Sequence, residues 1–169
     1  MSPIDIACMS TDRTLLKSAI FTILVPGSLA VAIPQLLSRF RRHPELPIEP
    51  RLGRIVGGLA MIAGAILYGH TVFQFGTEGD GTPSPTDEPD ELVTGGIYAH
   101  SRNPMYIGVL LVVLGQAFWH RSSAILWWAV GMWIGFHNRV IGWEEPHLTE
   151  KYGEEYAQYC EDVPRWVGK

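Results

Sequence analysis

Four long apolar runs, separated by strongly polar stretches, limit what this chain can fold into. They cover residues 15–37, 55–75, 105–119 and 123–141. A helix needs about 20 apolar residues to cross the hydrocarbon core of a bilayer, with a working range of roughly 17 to 25. The first, second and fourth runs meet that length. The third is short, and is expected to gain a turn from Arg121 and Ser122 or to cross a thinned or tilted region. The third and fourth runs are apolar around their whole circumference and are joined by only a few residues. That is the pattern of a membrane helical hairpin, not of a helical bundle in a soluble protein. Pro26, Gly27 and Pro34 in the first run are tolerable where neighbouring helices re-satisfy the freed carbonyls. The fold expected is all-α: an integral membrane helical bundle with about four transmembrane helices and a C-terminal helical hairpin. It forms a single membrane domain over 1–169, with N-terminal helices in 1–75 and a functional core in 76–169.

Composition removes several classes. The chain has 169 residues, the size of one domain, and a formal net charge of -4. No basic stripe exists outside the Arg39 to Arg54 region, which argues against a nucleic-acid partner. Cys8 and Cys160 are too few for a disulfide framework and have no metal-ligand or redox spacing, so no metal is expected and neither is read as functional. Lys17, an apolar run and Ala30-Val31-Ala32 loosely fit a cleaved signal, but the run continues to Leu37 and reads as a retained helix.

The connections differ in charge. Arg39, Arg41, Arg42, Arg51 and Arg54 flank the first, whereas Glu78, Asp80, Asp87, Glu88, Asp90 and Glu91 fill the second. Pro83, Pro85 and Pro89 prevent a regular helix there. Beyond the fourth run, Pro146 suits the first turn of a new helix. Leu148, Tyr152, Tyr156, Tyr159 and Val163 recur on one helical face, with acidic residues between them. This amphipathic tail helix is expected on the membrane surface or folded against the second loop.

Two clusters carry chemistry. In the stretch from Leu92 to Gly108, Asn103 and Pro104 read as N-cap and first residue of the third helix. Its amides and positive dipole end then face the preceding loop, a geometry that binds anions, with Arg102 beside it. Gly95-Gly96 permits close backbone approach to a ligand, and Tyr98 and Tyr106 offer aromatic faces to a cation. The plain alternative is an ordinary interface loop with tyrosine anchors. The second cluster is His137, Asn138, Arg139, Glu144 and Glu145, at the end of the fourth run. A hairpin of the last two membrane helices brings it beside Asn103. Ionisable residues at membrane depth are functional candidates, with snorkelling at the helix end as the alternative. Pro146 is expected to break the helix at Glu145. Together these groups suit a zwitterionic or cationic small molecule. Arg139 requires an anionic partner, either Glu144 or Glu145 or a substrate carboxylate or phosphate.

Gly81-Thr82-Pro83-Ser84-Pro85, Leu92-Val93-Thr94-Gly95-Gly96-Ile97-Tyr98 and Arg102-Asn103-Pro104-Met105-Tyr106-Ile107-Gly108 follow one another in that order. Glu144-Glu145-Pro146-His147-Leu148, Tyr152-Gly153-Glu154-Glu155-Tyr156 and Val163-Pro164-Arg165-Trp166 continue the series. The ordered set resembles the isoprenylcysteine carboxyl methyltransferase and phospholipid methyltransferase group over about half the chain. The resemblance implies S-adenosylmethionine as cofactor and a lipid-like or prenylcysteine-like amphipathic acceptor. It implies cofactor contacts at Leu92, Val93, Tyr98, Asn103, Pro104, Met105, Tyr106 and Glu144 or Glu145, to which the residue chemistry adds Gly96 and Arg102. In the prenylcysteine branch an arginine shortly before the paired glutamates binds substrate, which points to Arg139. The adjacent Gly95-Gly96 departs from the Gly-x-Gly of the phospholipid branch. Parts of the same motifs also look like the C-terminal part of NADPH-dependent membrane sterol reductases, and a non-catalytic membrane subunit on the same scaffold is a third reading. No catalytic base is assigned; His100, His137 and Glu145 are the nearby candidates. The expected location is the cell membrane, multi-pass, with the site facing the cytoplasm where the cofactor is made. Arg39 to Arg54 would then lie outside, against the positive-inside tendency.

Overall fold

A computed structural model of the chain describes residues 27–39, 43–78 and 92–168. The first half of the first apolar run, the Gly-Thr-Pro motif and the prolines of the second connection lie outside the described residues. The regular elements among the described residues are all helical, joined by turns and loops, with one isolated antiparallel bridge between Glu45 and Ser122. A π turn, Ser28–Ala32, leads into α1, Ile33–Arg39. The long α2 spans Pro50–Glu78, and α3 and α4 span Pro104–Trp119 and Ser123–Arg139. A second π turn, Val140–Glu144, runs into α5, Glu145–Tyr152, followed by α6, Glu154–Asp162. The all-α expectation and the α3–α4 hairpin are met.

Among the described residues, one helix is long and apolar enough to cross a membrane, over Pro50–Gln74. The apolar α3 has 16 residues, a rise of about 24 Å, which is short of a typical hydrocarbon core. It gains no turn from Arg121. Instead, Arg121 adopts φ +51°, its N–H donates to the Phe118 carbonyl, and the Ser122 N–H donates to the Ala117 carbonyl. This is a Schellman stop with arginine where glycine is usual. The strain is offset by the ion pair of Arg121 Nη1 with Glu45 at 3.0 Å and by the Leu46 N–H bond to the Arg121 carbonyl at 2.8 Å. Ser122 then caps α4 by accepting from the Ile125 N–H.

Glycines set how closely α2 and α3 approach. A Cβ on Gly57 would stand 2.5 Å from the Gly115 carbonyl oxygen, and one on Gly64 2.6 Å from that of Gly108. The two helices therefore touch backbone to backbone, the small-residue contact that membrane helices use where no hydrophobic force separates lipid from protein. The opposite side of α2 carries Ile55, Leu59, Ile62, Ile66 and Phe73, each more than half exposed. On α3, Val113 and Ala117 pack with Ile125, Ala129 and Met132 of α4 and with Ala30. Buried Gln116 donates to the Ala30 carbonyl and Trp128 Nε1 to that of Leu29, which holds the first π turn against the hairpin.

The helix break expected at Glu145 does not occur. Glu145 is helical, with φ -63° and ψ -44°, and its N–H bonds the Val140 carbonyl five residues back. Proline lacks the N–H and crowds the carbonyl four residues before it. The π turn widens the helix ahead of Pro146, so the chain bypasses the conflict without breaking. The break comes later, at Gly153, where φ +55° and ψ -124° form a combination that glycine adopts most readily. The expected tail face is thus shared by two helices. Tyr156, Tyr159 and Val163 are buried together against Leu148, Tyr152 and Leu92, so the tail folds on the loop.

Candidate functional site

The hairpin brings the end of α4 beside the start of α3, as the spacing predicts. Pro104 is the first helical residue. Asn103 occupies the capping position but makes no side-chain cap. Its Nδ2 donates to the Arg165 carbonyl at 2.9 Å, and its own N–H donates to Ser101 Oγ. Asn103 therefore ties the C-terminal segment to the start of α3. The Arg102 N–H adds a bond to the Pro164 carbonyl at 3.0 Å.

Above this seam lie two carboxylates and three guanidiniums. Glu145 accepts from Arg102 Nη1 at 2.8 Å and takes a two-point bond from Arg165, at 2.6 and 2.8 Å. Glu144 accepts from Arg139 Nε at 2.8 Å and from the Tyr106 hydroxyl. Arg139 also lies over the Trp143 ring, 4.8 Å from its centroid. Although the glutamates are adjacent in sequence, each has its own partners. With three cations against two anions the cluster keeps one positive charge in excess. Arg102 is largely buried, its Nη1 also reaches Cys160 Sγ at 2.8 Å, and its Nε has no partner among the described residues.

Aromatic rings border the cluster. Tyr106 stacks on Phe136 with centroids 4.5 Å apart. His137 stacks on Trp133, and its Nδ1 accepts from Trp166 Nε1 at 3.3 Å. Tyr98, in the 3-10 turn Gly96–Ala99, is buried, and its carbonyl accepts from the Tyr159 hydroxyl at 2.7 Å. Burial pushes the phenols of Tyr98, Tyr156 and Tyr159 well above their ordinary value, so none ionises near neutrality.

The structure thus gathers Arg102, Asn103, Tyr106, Arg139, Glu144 and Glu145 into one cluster. Gly96 and Tyr98 form the adjoining turn. Leu92 packs on the tail tyrosines, while Val93 and Met105 are half-buried beside their elements. Arg165 and Trp166 carry no role in the sequence reading, although they sit in a quoted motif, and both reach the cluster. Cys160, read as inert, is in contact with Arg102. Gln74 was also missed, and its signal was a polar amide inside an apolar run. Among the described residues no group of histidine, cysteine and carboxylate side chains could hold a metal.

Comparison with known proteins gives this geometry a family. A profile described as phospholipid methyltransferase matches residues 52–155, from the glycine seam through both glutamates to the tail. The chain belongs to the phospholipid methyltransferase family. It is 30% identical over 117 residues to a protein-S-isoprenylcysteine O-methyltransferase of Schizosaccharomyces pombe, covering 69% of this chain and 45% of that protein. It is 34% identical over 82 residues to isoprenylcysteine O-methyltransferase B of Arabidopsis thaliana, 48% of this chain and 41% of that one. An uncharacterized protein of Haemophilus influenzae is 36% identical over 64 residues, its full length. The chain spans less than half the length of the two named methyltransferases. Neither the profile nor these relatives support the sterol-reductase alternative.

Proposed function

We propose that this member of the phospholipid methyltransferase family transfers a methyl group from S-adenosylmethionine to an amphipathic, lipid-like acceptor bearing an anionic nucleophile. The observation that carries the proposal is the cluster at the mouth of the α3–α4 hairpin, where Arg102, Arg139 and Arg165 outnumber Glu144 and Glu145. The donor set fits a zwitterionic cofactor. The excess guanidinium charge and the unpartnered Arg102 Nε suit a carboxylate, and the Tyr106 ring suits a sulfonium. Leu92, Val93, Gly96, Tyr98, Asn103, Pro104 and Met105 would complete its surroundings. When bound, that cofactor would supply an electrophilic methyl on sulfur for an acceptor oxygen held by the chain's own residues.

The rest of the chemistry falls to the chain. Arg139 anchors the acceptor's anionic head, and the Glu144 and Tyr106 contacts hold its guanidinium in place. The apolar tail lies along the exposed residues of the hairpin. Proton removal is poorly served. Both oxygens of Glu145 accept from guanidiniums, His137 Nδ1 accepts from Trp166, and exposed His100 makes no hydrogen bond to the cluster. An ammonium acceptor would meet surplus positive charge and no free base, whereas a carboxylate needs neither.

The scaffold in this reading is one membrane domain of four helices with the site facing the cytoplasm. The exposed apolar side of α2 and exposed Trp127, Val130 and Ile134 on α4 support lipid contact. Labelling of Ser84→Cys from the cytoplasmic side alone, and of Arg42→Cys from the other, is the expected pattern; the reverse would sink this orientation.

The activity is tested by incubating the purified protein and extracted lipids with methyl-labelled S-adenosylmethionine. Label that leaves as methanol in mild alkali identifies a methyl ester and is expected. Alkali-stable label on a headgroup nitrogen would overturn the anionic acceptor, and an unlabelled extract would overturn the activity. Arg139→Gln should raise the acceptor KM while cofactor affinity stays within about twofold. Normal acceptor kinetics would remove Arg139 from the acceptor site.

A further inference from the structure

Gln74 lies near the end of α2, a helix from which no described side chain enters the charged cluster. It is 3% exposed and, with Thr71, one of two described polar side chains buried near the end of a largely apolar run. A buried amide is costly unless it is hydrogen-bonded, and the amino end of this one is. Its Nε2 donates to the Gly95 carbonyl at 2.8 Å, across 21 residues of sequence. At the next residue, Gly96 has φ +55°, and a Cβ there would meet both Gln74 amide heteroatoms at 2.8 Å. The turn is therefore specified twice from the same side chain, once by a bond to Gly95 and once by the space that only a glycine leaves at 96. On its other side, the Tyr159 hydroxyl holds the Tyr98 carbonyl. The turn Gly95–Tyr98 is thus clamped between a membrane helix and the tail, four residues ahead of Arg102.

We infer that Gln74 is a positioning residue for the cofactor: its amide fixes the Gly95-Gly96 turn in the conformation that receives S-adenosylmethionine. The role of that turn rests on the reading under Proposed function. The positioning itself does not, because it can be observed without any ligand. A carboxylate at 74 would set an anion against the Gly95 carbonyl, and a methionine would fill the same space without the donor.

The test uses Gln74→Met, alone and with Gly96→Ala, in the full chain, purified in detergent. Hydrogen–deuterium exchange of the peptide over residues 95–98 should accelerate by roughly tenfold in Gln74→Met, the factor expected for losing one hydrogen bond. Exchange in α3 and the thermal midpoint should stay near wild type. By calorimetry, the dissociation constant for S-adenosylmethionine should rise by about fivefold or more, with the acceptor KM unchanged. Gln74→Met should cost little further affinity in a Gly96→Ala background, since the added Cβ already displaces the Gln74 amide, although Gly96→Ala alone also strains its φ of +55°. Unchanged exchange over 95–98 in a folded Gln74→Met protein would overturn the inference. So would a loss of affinity that only tracks a falling thermal midpoint across all the variants. A wild-type protein that binds no S-adenosylmethionine, with exchange still faster in Gln74→Met, would instead defeat the functional reading and leave the clamp intact.

Discussion

The α2–α3 seam and the charged cluster hold the same hairpin, yet they tolerate change in opposite ways. At the seam, Gly57 and Gly64 meet the Gly115 and Gly108 carbonyls directly, so backbone touches backbone and nothing can give. At the cluster, long arginine side chains reach two mostly buried glutamates, Arg102 from within and Arg139 and Arg165 from the partly exposed rim. The first region fixes where the helices stand. The second fixes what charge they present, with some freedom to rearrange.

Gly57→Ala is the sharpest way to break the seam. The added methyl meets backbone, which cannot rotate aside, and overpacking of this kind costs about 1 to 3 kcal/mol or more. A clear drop in thermal midpoint in detergent is expected. A midpoint equal to wild type would mean that the helices do not cross there. Glu145→Gln should act next in size, and mainly on binding. It leaves Arg102 and Arg165 without their shared carboxylate, and loss of charge-assisted hydrogen bonds costs about 1.5 to 3 kcal/mol. Calorimetry with S-adenosylmethionine should report that loss, with the helical signal retained. Full affinity in this variant and in Glu144→Gln would separate the carboxylates from the cofactor.

Alkali probes the tail that closes the cluster. The phenols of Tyr98, Tyr156 and Tyr159 are raised above 10.0 by burial, so the folded state keeps protons that the unfolded chain releases. Their contribution is intact below pH 10.0 and is lost as pH rises from there towards the raised folded values. The share of tyrosinate absorbance that these three of the six tyrosines contribute should therefore appear together with loss of tail structure. The full absorbance of all six, developed around pH 10 in a protein that stays folded, would contradict their burial. The smallest effect belongs to Gly69→Ala, where an added Cβ meets nothing within 4 Å. A change within about 1 kcal/mol, towards stability, is expected from helix propensity alone, against the clear loss at Gly57.

Much of this arrangement was legible from the sequence because it depends on local rules. Apolar length gave the helices, Asn103-Pro104 gave the start of α3, and the short connection gave a hairpin that must bring Arg139 and Glu144 back to Tyr106. Partner choice was not legible. Nothing in Glu144-Glu145 says that one serves Arg139 and the other Arg102 and Arg165, since that follows from a π turn. Nor does Arg121 announce φ +51°, where residue preference alone favours glycine. Gln74 was hidden for a similar reason: its meaning is a contact with Gly95 that only the packed helices create.

The π turn ahead of Pro146 makes segment length as binding as residue identity. Closing the five residues Val140–Glu144 in ordinary α geometry would swing every later side chain by about 100° around the axis. Glu145 would leave Arg102, the proline ring would press on a carbonyl again, and the tyrosines of the tail would face away from Leu92. A deletion of one codon within the turn removes its extra residue and keeps that facing, so it should be milder than a one-codon insertion there or after Gly153, where α6 starts and carries buried Tyr156 and Tyr159. Across relatives, the spacing from Arg139 to Glu145 is then the quantity to count when chains are aligned.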